Sequence, residues 1–457
     1  MGFDDVLLTG LAPDGGLYVP TEWPTFDATC LHGFAGKSYA AVAAEVMRPF
    51  LEGSAAAAAL DAITARAYGR FAHTGTCPLV QMDARNWLLE LFHGPTLAFK
   101  DVALQVLGEL FEHVLAQRGE HITIVGATSG DTGSAAIEAC RDRANVDIFI
   151  LHPKDRTSEV QRRQMTTVTA ANVHNIAVEG DFDTCQGLVK AMFNDPTFRA
   201  EQALSAVNSI NFARILAQSV YYITAAVALG APDRGMAFAV PTGNFGNVFA
   251  GYAAKQMGLP VQRLIVGSNR NDILTRFAET GAMDLRAVVP TLSPSMDIQV
   301  SSNFERLLFD LMDRDGAATA REMERFKQSG RFGVSAARWG TFRHDFTGAR
   351  YDDDQTLAEI AGVYRDTGLL VDPHTAIGLA AARDCAPPAD VPVIALGTAH
   401  PAKFPDAVAK ATGQRPALPD RLANLYDLPE HYTTLPGDLA AIQAHIRAHS
   451  RRGAKAA

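Results

Sequence analysis

Between Trp87 and Gly180, four short apolar runs (WLLELF, ITIVGA, VDIFILHP and HNIAVEG) are parted by stretches with helical spacing. Parallel strands need a crossover of a dozen residues or more, usually a helix. The alternation therefore predicts an α/β fold, a parallel sheet with helices on both faces. Val102, Val106, Leu110 and Val114 recur every four residues and mark the first crossover helix; a polar helix around Glu159 to Met165 follows the third run. Upstream, the run Ala55–Ala59 between Leu51, Leu60 and Ile63 predicts helix, because alanine is the best helix former. Residues 1–75 are read as a helical N-terminal domain that closes at FAHTGTCPL, where Gly75 and Pro78 punctuate the chain. Residues 406–457, rich in proline and ending SRRGAKAA, are read as C-terminal helices and a frayed tail. A chain of 457 residues exceeds a single core and implies two or three lobes.

Charge and cysteine usage narrow the function. A net charge of −9 without a basic stripe disfavours nucleic acid as a partner. Five scattered cysteines (Cys30, Cys77, Cys140, Cys185 and Cys385), with no CxxC pair and no histidine at ligand spacing, predict reduced thiols in a cytoplasmic protein and no metal site. The longest apolar stretch, Ile215–Ala231, is interrupted by Gln218, Ser219 and Thr224. It falls short of the ~20 apolar residues a span needs, so it predicts a core helix and no membrane partner. The acidic opening MGFDDVLLTG does not read as a signal peptide.

Lys100 carries the reactive candidate. It ends FHGPTLAFK, with Phe92, Leu97, Ala98 and Phe99 as an apolar wall, and stands at the start of a helix whose positive dipole end faces it. A free lysine, with a pKa of ~10.4, is almost fully protonated at neutral pH. Burial and a cationic neighbourhood favour the neutral, nucleophilic amine. Asp101 reads as the helix N-cap. Two glycine-rich turns accompany this lysine. In AFAVPTGNFGNVFAGYAAKQMG, residues Gly243, Asn244, Phe245, Gly246 and Asn247 join a strand to a helix, a cradle for phosphate that follows neither the dinucleotide nor the Walker spacing. In ITIVGATSGDTGSAA, residues Thr128, Ser129, Gly130, Asp131 and Thr132 form a polar turn able to wrap a carboxylate. Either turn alone also reads as an ordinary strand-to-helix connection, with Asp131 or Thr132 as a cap. An aldehyde-reactive lysine, a phosphate cup and a carboxylate loop together are what pyridoxal phosphate acting on an amino acid requires.

These three segments, with GLAPDGGLYVP, NSINFARILAQ, SMDIQVSSNFERLLF and LGTAHPAKF, resemble the threonine synthase family over nearly the whole chain, in its longer bacterial and fungal subgroup. The resemblance implies the two-lobed fold type II of pyridoxal phosphate enzymes, similar to the tryptophan synthase β chain, with residues 76–405 as the catalytic core and a smaller lobe at about 102–200. It implies that Lys100 holds the cofactor as a Schiff base and then serves as general acid and base, and that residues 243–247 bind its phosphate. By the same resemblance Thr398 meets the pyridine nitrogen and Asp131 lies near the ring hydroxyl. The implied substrate is O-phospho-L-homoserine, converted with water to L-threonine and phosphate. A second phosphate site is then needed, for which Ser209, Asn211 and Arg214 are the candidates, Arg214 by bidentate charge pairing. Thr128, Ser129, Gly130 and Thr132 would receive the substrate carboxylate. His93, His374 and His400 read as structural hydrogen bonders. The chain opens at MGFDDVLL, without the Tyr-x-Ser-Thr-Arg-Gly strand usual before Phe3 in this subgroup, so a late or truncated start is expected. A threonine or serine dehydratase would share the lysine and phosphate loop without the second phosphate site. A non-catalytic relative that only binds pyridoxal phosphate is the other alternative. A monomer or homodimer is expected.

Overall fold

The computed structural model describes residues 1–128, 130–385 and 387–454. Its strands form two mainly parallel sheets rather than one, beside a two-stranded antiparallel pair, Ala282–Asp284 with Arg331–Gly333. The larger runs Leu79–Gln81, Asn86–Glu90, Val393–Gly397, Met236–Pro241, Val261–Ser268, Phe346–Arg350, antiparallel only in its first pair. The smaller runs Thr433–Pro436, Val173–Glu179, Val146–Pro153, Ile122–Ala127, Leu204–Ser205, parallel throughout. Every residue of Val146–Pro153 and of Met236–Pro241 is buried. Such continuous burial is why these strands read as unbroken apolar runs.

The two-sheet outcome has a geometric cause. The helix Lys100–Arg118 has 19 residues, about 28 Å at a rise of about 1.5 Å each. It carries the chain from the strand Asn86–Glu90 of the larger sheet to Ile122–Ala127 of the smaller, so two strands adjacent in sequence lie in different sheets. The N-terminal helices Tyr39–Met47 and Leu60–Tyr68 place Val42, Val46, Ile63 and Ala67 in the same apolar cluster as Val106 and Leu110 of the Lys100 helix. Only Ala57–Ala59 of the alanine run is helical, as a 3-10 turn leading into Leu60. Asp4, distant in sequence, accepts from Ala55 N–H at 3.0 Å and the neighbouring Ser54 hydroxyl accepts from Ala56 N–H at 3.0 Å, and these two bonds hold the first alanines in a turn.

The C-terminal segment is more than helices and a tail. Thr433–Pro436 adds an edge strand to the smaller sheet, and the helix Leu439–His449 packs Ile442 and Ile446 against Val125, Phe149, Ile176 and Val178. Its sequence, TTLP, holds one apolar side chain and gives no strand alternation to read. The apolar stretch from Ile215 lies in the helix Phe212–Ala228, whose inner face is core. Among the described residues no helix is long and apolar enough to cross a membrane.

Candidate active site

Lys100 is the first residue of its helix and is buried. The turn before it is fixed by a second segment far along the chain. Phe99 N–H donates to the Thr398 carbonyl at 2.9 Å, and His400 N–H donates to the Leu97 carbonyl at 3.0 Å. Thr398 is thereby set beside the lysine. Asp101 does not cap the helix. The N-cap is Phe99, which offers no side-chain cap, and the Asp101 carboxylate turns back to accept from Thr96 N–H and Oγ1, both at 2.7 Å. The turn is tight enough that a Cβ on Gly94 would lie 2.4 Å from Asp101 Cβ, so only glycine fits there. Burial pushes the Asp101 carboxyl up to about 6, against the two Thr96 bonds that favour its ionised form.

Asp131 is the hub of the site. Its Oδ2 lies 3.4 Å from Lys100 Nζ and accepts from Ser295 Oγ at 3.2 Å. Its Oδ1 lies 2.8 Å from Lys403 Nζ and accepts from Gln161 Nε2 at 2.8 Å. Burial alone would raise this carboxyl, but Lys403 and Lys100 outweigh burial and hold it well below the usual carboxylate range. Burial lowers the Lys100 ammonium; Asp131 opposes that, while Lys403 and Arg214 add to it. Neither Asp131 nor Thr132 caps the helix Asp131–Cys140. The N-cap is Gly130, which has no side chain to offer, and Thr128 Oγ1, from the preceding turn, accepts from Gly130 and Gly133 N–H at 2.9 Å each. Thr132 is half-buried at the same helix start, and Ser129 lies outside the described residues.

The turn 243–247 joins Met236–Pro241 to the helix Gly246–Gln256. Phe245, at the N-cap, is left-handed with φ 62° and makes no side-chain cap. The first-turn N–H groups of a helix have no intrahelical partner, so they point out of this turn toward whatever sits there. Ser301 Oγ donates to the Gly243 carbonyl at 2.7 Å and Asn303 Nδ2 to the Asn244 carbonyl at 3.1 Å, which hold the loop open. Asn247 Oδ1 accepts from the hydroxyls of Tyr221 and Tyr222, and its Nδ2 has no partner among the described residues.

The three residues expected at a second phosphate site differ in availability. Asn211 caps the helix Phe212–Ala228 through Ala213 N–H at 3.1 Å and donates to the Leu7 carbonyl at 2.8 Å, so its amide is committed on both sides. Ser209 is half-buried. Arg214 is buried, donates from Nη1 to the Val207 carbonyl at 3.2 Å, and leaves Nε without a partner among the described residues. Burial lowers it to about 10. Thr398 N–H donates to Thr375 Oγ1 at 3.1 Å. The neighbouring His374 binds Asp372 through Nδ1 at 2.6 Å and accepts from Ser295 N–H through Nε2 at 3.2 Å.

Donors of this kind fit pyridoxal phosphate: a reactive amine, an uncapped helix start, a hydroxyl beside the amine and an unpartnered guanidinium nitrogen. Residues 71–333 match the model of the pyridoxal-phosphate dependent enzymes, 1–68 that of the threonine synthase N terminus and 375–446 that of the threonine synthase C-terminal region. Threonine synthase of Pseudomonas aeruginosa is 57% identical over 99% of this chain and 97% of its own. The chain belongs to the threonine synthase family. A crystal structure of PLP-bound threonine synthase from Brucella melitensis superposes with a TM-score of 0.97 at 54% identity, covering 99% of this chain and 97% of that one. The yeast threonine synthase structure gives 0.93 at 39%, covering 98% and 96%. The fold is therefore the type II pyridoxal phosphate fold with a helical N-terminal region, and the threonine synthase cofactor is pyridoxal phosphate.

Sequence reasoning overlooked Lys403, Ser295 and Gln161 as partners of Asp131; His374 is the structural hydrogen bonder it was read as. Lys403 stands in AHPAKF and Ser295 in SMDIQVSSNF, both segments that carried the family resemblance. The signal was present, but no local spacing tied either residue to Asp131.

Proposed function

We propose that this chain converts O-phospho-L-homoserine and water to L-threonine and phosphate, with Lys100 as the group that holds the cofactor and shuttles protons. What supports the reading is one buried lysine with Arg214 in its field, and two anion-receptive groups on neighbouring elements. One is the uncapped helix start at Gly246; the other is the buried Arg214 guanidinium. Bound there, pyridoxal phosphate supplies an electron sink for the carbanions formed beside the amino group.

The chain's own residues supply the rest. The Lys100 amine, lowered by burial and by Lys403 and Arg214, is suited to accept a proton at Cα and return one. Thr398 offers the pyridine nitrogen a hydroxyl, which does not enforce a protonated ring as a carboxylate would. The turn that carries Thr128, Gly130 and Thr132, at the start of the helix Asp131–Cys140, is the candidate for the substrate carboxylate. Arg214 is the charged member of the phosphate site, with Ser209 as the neutral candidate; Asn211 contributes by holding the helix that carries Arg214. A dehydratase would have no use for a buried guanidinium at this place. Five free cysteines, none paired, suit a cytoplasmic setting.

The test is product analysis. With O-phosphohomoserine, phosphate and threonine should appear in equal amounts; 2-oxobutyrate in place of threonine would sink the proposal. The loaded protein should show a visible band that borohydride abolishes, leaving a pyridoxyl adduct on Lys100.

A further inference from the structure

We propose that Lys403 and Asp131 form a permanent ion pair that keeps the Lys100 amine unprotonated, making Lys403 a positioning residue for the reaction. Two lysines approach one buried carboxylate. Their contacts are unequal. Lys403 is wholly buried and has two close acceptors, Asp131 Oδ1 at 2.8 Å and the Thr96 carbonyl at 2.8 Å. Lys100 reaches only Asp131 Oδ2, at 3.4 Å, longer than a good charge-assisted bond. A carboxylate has about four acceptor positions. Lys403, Gln161 and Ser295 occupy three of them, leaving Lys100 the fourth and weakest.

One negative charge cannot balance two ammonium groups, and the field of Arg214, from the helix Phe212–Ala228, adds a third positive charge. One lysine must release its proton, and the worse-held one does. The other groups around the pair do not change the outcome. The Asp101 carboxylate, turned to Thr96, acts on Lys403 and not on Lys100, which favours the charge on Lys403, and His374, from the helix Pro373–Asp384, bears on Asp131. The Phe99 ring lies 5.7 Å from Lys100 Nζ and offers no proton acceptor of comparable strength. Lys403 also binds the Thr96 carbonyl, in the same residue whose N–H and hydroxyl hold Asp101, so the pair and the turn into the Lys100 helix are one assembly.

The inference rests on Lys100 being the cofactor lysine, and its test is independent of turnover. The full-length protein, freed of cofactor, is labelled with trace acetic anhydride across pH 6–10, and acetylation of Lys100 is read by mass spectrometry. The pH at which supplied pyridoxal phosphate regains half its maximal rate of visible-band formation is a second readout. Lys403→Met should move both midpoints upward by about 1 unit or more, because an unshared opposite charge within about 4–6 Å shifts a group by about 1 to 3 units. Lys403→Arg should stay near wild type, Asp131→Asn should move the midpoints down, and the double variant Asp131→Asn/Lys403→Met should return toward wild type. Unchanged midpoints in a folded Lys403→Met protein would overturn the inference, as would Lys403→Arg behaving like Lys403→Met. If Lys403→Met does not fold, Asp131→Asn decides, and a midpoint at or above wild type rejects the pair. Absence of a pyridoxyl adduct on Lys100 would reject the cofactor reading and leave the labelling result standing.

Discussion

Arg214 is the residue whose burial says most about the substrate. A guanidinium is among the costliest groups to desolvate, and this one sits in the interior with Nε unpaired among the described residues and no carboxylate bonded to it. An anionic ligand resolves that imbalance. Arg214→Ala is expected to lower kcat/KM for O-phosphohomoserine by on the order of 30-fold or more, the equivalent of about 2 kcal/mol for truncating one partner of a buried charge pair. The visible cofactor band should remain. Steady-state kinetics check this, and an unchanged kcat/KM would remove Arg214 from the phosphate site. Lys100→Ala should eliminate both turnover and the borohydride-sensitive band, and retention of the band would place the linkage elsewhere. Lys100 was legible from its neighbours because an apolar wall and a helix start are local in sequence. Its partner Lys403 was not, because the distance in sequence to Asp131 carries no periodicity.

At the scale of elements, the C-terminal helix Leu439–His449 is held on the smaller sheet by apolar contacts and a group of histidines. His174 stacks on Phe149 at 4.4 Å and faces His449 at 5.7 Å, while His445 and His449 lie 4.1 Å apart. Burial, then His449 and His445, depress His174 to about 4, with Asp147 opposing them. The folded value lies below the ordinary ~6.5 of a free histidine, so the stability involved is present above pH ~6.5 and is lost as pH falls through about 4. Once exchange rates in residues 439–449 are divided by the intrinsic rate at each pH, which itself falls on acidification, protection should therefore drop between pH 7 and pH 4.5. His174→Phe, which keeps the stack on Phe149 and removes a titrating group, should blunt that response. Equal acid sensitivity in the variant would show that His174 is not the group responsible. The strand–turn–helix units around Ile122 and Met236 were foreseen because apolar runs and glycine turns are local signals. The edge strand Thr433–Pro436 was not, because a polar edge strand is defined by the neighbour it pairs with.

Over the whole molecule, the candidate site draws on both sheets. Asp131 and the Thr128 turn belong to the smaller sheet, the 243–247 turn and Thr398 follow strands of the larger, and the Lys100 helix runs between them. A ligand that touches both sides stabilises their joint arrangement, because it binds the folded chain and not the unfolded one. Pyridoxal phosphate at about 100 times its Kd should add about 2.7 kcal/mol and raise the thermal midpoint by at least about 2 °C. Lys100→Ala, lacking the covalent link, should show a smaller rise. Scanning calorimetry with and without cofactor checks this, and an identical rise in both proteins would separate the linkage from the stabilisation.

Sequence by itself determined the α/β class and the family, and it singled out the candidate lysine and the candidate phosphate turn, since each is written in a contiguous stretch whose periodicity or glycine spacing has a direct physical meaning. Tertiary structure alone decided which strands enter which sheet, that Thr128 Oγ1 holds Gly133 N–H at the start of the Asp131 helix, and that the chain's end returns to build the smaller sheet. It also decided that one carboxylate serves two lysines. Such features depend on which distant groups meet once water is excluded, and a charge buried by the fold acquires its partner from the fold.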